Sequence, residues 1–273
     1  MKRINIFASV NDSQVKKGNL GDLFGYELVS FLSKYIPLQY QRKSLQDTWD
    51  SDIVVAIVGS IIHVCAKKAR QQNKRIVILG CGCIDSSPIN PSHLDIVGVR
   101  GPLTKKRLGN PNVEIMSDPG LLLSVMYPLS PQTKKKSIGF IIHSVDRKLF
   151  QTLFPQYQSN VVDNYSTYTQ FTKELANYEQ IVSSSLHGII FSHSYGIPVC
   201  PIQLTHNIQG GEFKYKDYYH SLGNTLFEKR IQVTQKTNFQ ELLDNQWQPS
   251  PSIIRDLQKK QLTRLLSYLI KIK

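Results

Sequence analysis

The sequence predicts an α/β protein whose strands form parallel sheets covered by helices, divided into two halves of similar size. Three observations carry that expectation. Short β-branched runs recur along the chain, each followed by a turn and then by a helical pattern. Continuous apolar runs such as IVVAIV at 53–58 and RIVIL at 75–79 read as strands buried on both faces, which all-parallel sheets require. The spacing between runs leaves room for the crossover helix that a parallel connection needs.

In chain order, the β-branched runs place strands at residues 3–9, 53–59, 75–80, 96–100 and 113–117 of the first half. Helical patterns follow at 21–34, 61–72 and 102–108, the last opened by Gly101-Pro102, since proline suits the first turn of a helix. The second half supplies strands at 137–143, 160–163, 180–183 and 198–203, with helices at 167–178 and 186–195. Between the halves, YPLSPQTKKK at 127–136 interrupts the pattern with two prolines and three lysines, which marks a boundary. The expected domains are therefore 1–130 and 131–250, followed by a basic helix at 251–273. In that helix Ile253, Ile254, Leu257, Leu262, Leu265, Leu266, Leu269 and Ile270 recur at helical spacing among basic residues. Such a stripe suits a surface helix packed on its own domain and, equally, peripheral contact with an anionic membrane face.

Composition narrows the function. Apolar residues make up 41% and charged residues 19%, a globular balance rather than a disordered one. The 33 Lys+Arg against 20 Asp+Glu leave a net charge of +13, which predicts anionic company: nucleic acid, an acidic membrane surface or phosphorylated substrates. No apolar stretch approaches the roughly 18 residues of a membrane span, and MKRINIFASV lacks the pattern of a secretory signal. A soluble, cytoplasmic protein is expected. Cys65, Cys81, Cys83 and Cys200 are too few for a disulfide framework, and Cys81-Gly82-Cys83 reads as small buried residues at a strand end. The histidines lack metal-ligand spacing, so no bound metal is expected. No P-loop, G-x-G-x-x-G or G-x-S-x-G is present, which removes the usual signatures of ATP, dinucleotide and serine-hydrolase chemistry.

Ligands of open parallel sheets collect beyond the carboxyl ends of the strands, and that rule filters the candidates. Asp50-Ser51-Asp52 fails it, because these residues precede a strand. Passing are Asn19-Leu20-Gly21-Asp22, Gly59-Ser60, Gly80-Cys81-Gly82, Arg100-Gly101, Asp118-Pro119-Gly120, His143-Ser144 and the run from Ser183 to Gly188. Ser183, Ser184 and Ser185 end a strand and open a helix, where backbone N–H groups and partial positive charge suit a phosphate or carboxylate. An ordinary N-cap run reads the same way. His187, in the first turn, is placed to exchange protons with a bound anion near neutral pH. Arg100 suits a bidentate grip on a carboxylate or phosphate, or a structural ion pair. In the first loop Gly21 permits close backbone approach, and Asp22 serves as base or cap. Asp118 reads as a turn former. The stretch from Phe213 to Tyr219, with Lys214 and Tyr218, combines cations and rings that suit a phosphate and a sugar face, or a solvated helix start.

Seven segments in this order resemble the polysaccharide pyruvyl transferase family: GNLGDLFGYEL near the start, VGS at 58–60, LGCG at 79–82, VRGPLT at 99–104, SDPGLLL at 117–123, IVSSSLHGIIFSHSYGIPV at 181–199 and FKYKDYYHSLG at 213–223. The similarity covers most of residues 5–225. Many relatives carry S-R-L-H where this chain has S-S-L-H, as in the succinoglycan-type ketal-forming enzymes, which shifts anion binding onto Arg100 and Lys214. The resemblance implies two Rossmann-like domains whose sheets face a cleft, similar to the GT-B glycosyltransferases. It implies transfer of pyruvate from phosphoenolpyruvate onto two hydroxyls of one sugar, giving a cyclic ketal on a surface polysaccharide or its lipid-linked precursor, without a cofactor. On that basis His187 is the expected general acid/base, Arg100 and Lys214 the clamps on the donor, and Ser183, Ser184 and Ser185 the phosphate cradle. Asp22, with catalytic contact to the acceptor hydroxyl, is joined on the acceptor side by Asn19, Gly21, Ser60 and Tyr218. Two rivals are a nucleotide-sugar glycosyltransferase of the same architecture and a non-catalytic nucleic-acid-binding protein. The basic residues are spread along the chain and no nucleic-acid motif is present, so nucleic acid is not an expected partner.

Overall fold

The computed structural model describes residues 3–130 and 136–271. Six strands form the first sheet: β1 (Arg3–Phe7), β2 (Gln39–Lys43), β3 (Val54–Ala56), β4 (Ile76–Leu79), β5 (Leu94–Val99) and β6 (Glu114–Ile115). They run parallel in the order β2-β1-β3-β4-β5-β6. The second sheet is also parallel, in the order β10-β9-β8-β7, from β7 (Lys136–Ile141), β8 (Tyr178–Ser183), β9 (Val199–Gln203) and β10 (Ile231–Gln232). The central strands β3 and β4 are buried along their whole length, as their unbroken apolar runs require.

Helices α1 (Asp12–Lys17), α2 (Leu20–Leu32), α3 (Ile62–Gln71), α4 (Pro102–Arg107) and α5 (Leu123–Met126) accompany the first sheet. With the second run α6 (Ser144–Leu153), α7 (Tyr168–Leu175), α8 (Leu186–Ser194), α9 (Phe213–Ser221) and α10 (Phe239–Leu242). The strand expected at 160–163 is reduced to a single bridge between Val161 and Phe140. The polar 3-10 turn Pro155–Asn160 precedes it and leaves too little extended chain for a ladder. Residues 131–135 of the expected boundary lie outside the described residues.

One apolar core spans both halves. It joins Phe24 and Leu28 of α2 to Ile189, Ile190 and Phe191 of α8. The Phe24 ring meets Phe191 at 5.4 Å and Tyr168 at 5.9 Å, and the Tyr168 hydroxyl donates to the Leu20 carbonyl at 2.7 Å. Helix α8 is buried nearly all round, which accounts for apolar residues on every face of LHGIIFSHS. The carboxyl ends of the two sheets thereby face each other across a fixed gap.

The final helix, α11 (Pro251–Lys271), turns back to the first half. Its stripe of Ile254, Leu265 and Leu269 is buried there. The buried Gln261 amide donates to the Met116 and Asp118 carbonyls at 2.8 and 3.0 Å, while Lys260 and Arg264 flank Glu114. The centre of the apolar stripe is thus occupied by the protein's own fold, while Ile253 and Ile270 stay exposed and the outward face carries Arg255, Lys259 and Lys271. No helix among the described residues is long and apolar enough to cross a membrane.

Candidate active site

A cavity of about 400 Å³ lies where the strand ends of both sheets converge, the position that parallel α/β folds give their ligands. Ser9 follows β1, Ser60 follows β3, and Asn19 and Asp22 open α2. Across from them stand His143 after β7, Ser185 and His187 after β8, and Lys214 in the first turn of α9. A hollow of similar size beside α3, lined by His63, Lys67 and Arg70, lies outside this convergence.

The serine run builds the loop that carries His187. The Ser183 hydroxyl donates to the Ile141 carbonyl at 2.7 Å and accepts from the Ser185 amide at 3.0 Å. The Ser184 hydroxyl accepts from the His143 amide at 3.0 Å. Both side chains are sealed, so the expected three-serine cradle is corrected: their oxygens are consumed by the backbone, and Ser185 alone of the three lines the cavity. Its hydroxyl caps α8 by accepting from the Gly188 amide at 3.3 Å.

His187 is half-buried, with its ring against the backbone of α2. A Cβ on Gly21 would stand 2.1 Å from the imidazole Nδ1, so only glycine admits the ring there. Gly21 itself does not line the cavity; it contributes by leaving space. The His187 Nε2 is sealed and has no hydrogen-bond partner among the described residues. Burial, reinforced by the charges of Arg100, Lys214 and His143, pushes the imidazole down to about 3. It is therefore neutral at physiological pH in the free protein, unlike the near-neutral titration expected from the sequence.

Lys214 is 8% exposed and makes no hydrogen bond or ion pair among the described residues; its ammonium lies over the Tyr215 ring, 5.5 Å from the centroid. Burial, then the charges of Arg100 and Arg230, push its ammonium down to about 8, against the pull of Asp22 and Glu212. The Asp22 side chain is open to the cavity yet crowded by protein. Desolvation lifts its carboxyl to about 6, opposed by Lys214, so it is mostly ionised at neutral pH. Asn19 caps α2, its Oδ1 accepting from the Gly21 amide at 2.9 Å.

Two further expected site residues face elsewhere. Arg100 is fully buried. Its Nε donates to Asp217 Oδ2 at 3.1 Å, its Nη1 to Ser60 Oγ at 2.6 Å and its Nη2 to the Cys83 carbonyl at 2.9 Å. Asp217 also accepts from the Thr104 amide and hydroxyl at 2.9 and 2.7 Å. The guanidinium thus cross-links the halves instead of gripping a donor, and it reaches the cavity through Ser60. Tyr218 is sealed against His193 Nδ1 at 3.1 Å, which removes it from the acceptor contacts. Asp118 accepts from the Gly120 amide at 2.9 Å, a turn former. Asp50, before β3, pairs with Lys43 and Asn5, a structural role. The four cysteines are buried and unpaired, and no cluster of three metal-ligating side chains occurs among the described residues. His143 passed the strand-end rule in the sequence without acquiring a role, and the structure adds it to the cavity.

Comparison with known proteins places these features. The sequence profile of the family described as polysaccharide pyruvyl transferase matches residues 14–206, more than half of the chain. An uncharacterized protein of Acanthamoeba polyphaga mimivirus is 30% identical over 178 residues, covering 61% of this chain and 59% of that one. The succinoglycan biosynthesis protein ExoV of Rhizobium meliloti (strain 1021) is 26% identical over 148 residues, covering 53% and 46%. The chain spans about half the length of the curated relatives it matches. Among solved structures, the UDP-GlcNAc 2-epimerase of Methanocaldococcus jannaschii, in complex with UDP-GlcNAc and UDP, aligns over 97% of this chain and 99% of its own, with a TM-score of 0.54 at 10% identity. That likeness establishes the two-sheet, GT-B-like α/β fold.

Proposed function

The chain belongs to the polysaccharide pyruvyl transferase family, and from that premise we propose that it transfers pyruvate from phosphoenolpyruvate onto two hydroxyls of one sugar, forming a cyclic ketal on a surface polysaccharide or its lipid-linked precursor. One observation carries the reading. An unpaired, 8% exposed ammonium at Lys214 shares a cavity with the capped amino end of α8 and with the His187 imidazole. Unpaired buried charge is costly, and a small anion bearing carboxylate and phosphate offsets that cost.

In the proposed reaction a proton is added to C3 of the enol and C2 becomes oxocarbenium-like. The first sugar hydroxyl bonds to C2, the C2–O bond to phosphate breaks, and the second hydroxyl closes the ring. Of the two hydroxyl protons lost, one balances the proton gained at C3 and the other leaves with phosphate. His187 handles the proton at C3, and Lys214 with the Ser185 end of α8 holds the donor anion. Asp22, ionised above about pH 6, accepts the hydroxyl proton, and Asn19 and Ser60 orient the sugar. The first half is then the acceptor side and the second half the donor side. The scheme uses no cofactor. For a lipid-linked acceptor the enzyme works in the cytoplasm at the inner membrane face, held by charge through Arg255, Lys259 and Lys271, since the centre of the α11 stripe, at Ile254, Leu265 and Leu269, is already buried. Sedimentation with anionic vesicles at low salt, abolished when these three are neutralised, is the expected result; salt-insensitive or absent binding removes that part.

The deciding assay is phosphate release from phosphoenolpyruvate with a panel of pyrophosphoryl-lipid glycans. Release with at least one glycan, lost about 10²–10⁴-fold in His187→Gln with donor binding retained, is expected. Tight binding of a sugar nucleotide without any release would overturn the proposal in favour of glycosyl transfer.

A further inference from the structure

We propose that His143 is a second substrate-contacting imidazole, an uncharged hydrogen-bond donor to a phosphate oxygen of the anionic donor. The identity of that donor rests on the pyruvyltransferase reading; the contact itself rests on geometry. His143 lines the cavity with His187 and Lys214. Its own amide is pinned to Ser184 Oγ at 3.0 Å, which ties it to the loop leading into α8. It is also the N-cap of the ten-residue helix α6, its Nδ1 accepting from the Val145 amide at 3.4 Å.

That cap fixes the tautomer. A ring nitrogen facing an amide N–H is the bare one, so in the neutral ring the proton sits on Nε2. The ring is neutral at physiological pH because burial, with Lys214 and Arg230 nearby, pushes it down to about 4. Nε2–H finds no acceptor among the described residues, and unlike the His187 Nε2 it is not sealed. Serine, threonine, aspartate and asparagine are the preferred N-caps. Histidine caps as they do and adds a donor that reaches beyond the cap. Aspartate here would bring a negative charge into an anion site, and lysine would bring another cation beside Lys214. A neutral donor at a helix amino end, which itself carries partial positive charge, adds affinity for an anion without either cost.

His143→Asn keeps a capping oxygen and removes the far N–H. The expected result is a rise of about 10–100-fold in KM for phosphoenolpyruvate, the weight of a hydrogen bond to a charged group, with kcat within about threefold. An unchanged KM overturns the contact, as does a loss confined to kcat with a displaced pH limb, which would make His143 a proton carrier. Imidazole nitrogen NMR on the intact protein, assigned with the same variant, gives a readout independent of turnover. The Nε2–H tautomer at 143, with an Nε2 shift on adding inorganic phosphate, supports the proposal; the Nδ1–H tautomer or a silent resonance overturns it. A His143 signal that moves with phosphate in a protein that never turns over phosphoenolpyruvate sustains the contact and removes the pyruvyltransferase reading. Turnover with a silent His143 removes the contact alone.

Discussion

Lys214→Met is expected to make the free protein more stable while destroying donor binding. Lys214 is 8% exposed and unpaired, and its ammonium is held at about 8 instead of its ordinary 10.5. At about 1.4 kcal/mol per tenfold change in proton affinity, keeping that charge in the empty cavity costs about 3 kcal/mol. Methionine fills a similar volume without the charge. With about 2–4 °C per kcal/mol for a chain of this size, a rise in Tm of about 6–12 °C at pH 7 is expected. The sign of the pH dependence gives an internal check. Between about pH 8 and 10.5 the folded lysine has lost its proton while the unfolded one retains it, so the unfolded state binds more protons and wild-type stability rises with pH. The gap between variant and wild type is present in full below pH 8 and closes towards pH 10.5. Differential scanning fluorimetry across pH 6–10.5, with and without phosphoenolpyruvate, measures both effects. Saturating donor at about 100 times its Kd adds about 2.7 kcal/mol to wild type and nothing to the variant. A variant that melts lower at every pH, or that the donor still stabilises, refutes the assignment of Lys214 as a strained, donor-facing cation.

Three further outcomes follow from the same geometry. Gly21→Ala puts a methyl 2.1 Å from His187 Nδ1, so turnover should fall by about 100-fold, the scale of a misplaced reacting group, with phosphate affinity retained; wild-type kcat would show the ring is not held there. Arg100→Met leaves Asp217 buried and uncompensated and should cost about 3–5 kcal/mol in urea unfolding. Arg100→Met/Asp217→Leu should recover much of that loss, and additive losses in the pair would refute the cross-link. The kcat/KM for donor should be bell-shaped, falling below about pH 6 as Asp22 gains a proton and above about pH 8 as Lys214 loses one. A flat profile from pH 5 to 9 counts against both roles.

What could be read from the sequence tracks burial. Strands β3 and β4 lie inside the first sheet and announce themselves as unbroken apolar runs, while β8 and β9, inside the second, show only shorter apolar stretches. Strand β2, QYQRK, is an edge strand with half-exposed residues, and the two-residue β10 is the edge of the second sheet; neither carries a hydrophobic period to find. In the site, the strand-end rule brings Asn19, Asp22, Ser60, Ser185 and His187 to one cavity, where Lys214, singled out in the cation-and-ring stretch, joins them. The same rule passes Arg100, which ends a strand correctly and then turns from the ligand because Asp217 of α9 meets it across the interface. Chain position places a residue at the right edge of a sheet, but the partner that docks from the other half decides where its side chain goes. The partner's own helix was legible only as a mixture of cations and rings. Tyr218 fails for the same reason: the His193 face of α8 takes its hydroxyl.

The depressed imidazole at 187 then acquires a use. In the free cavity burial and the charges of Arg100 and Lys214 hold it to about 3, so it begins as a base and carries no proton for an enol carbon. A unit negative charge arriving about 4 Å away is worth about 4 kcal/mol at an effective dielectric constant of 20, close to a thousandfold in proton affinity. A donor carrying phosphate and carboxylate is therefore enough to bring the imidazole back into the neutral range while neutralising Lys214's repulsion of it. In the proposed reaction, proton-donating competence at His187 is in this way conditional on the donor being bound. An imidazole nitrogen titration of His187 should remain neutral to below pH 4 in the free protein and move towards neutrality with phosphoenolpyruvate or inorganic phosphate added. A His187 that titrates at the same pH with and without the anion would break the link between the cavity's charge and its chemistry.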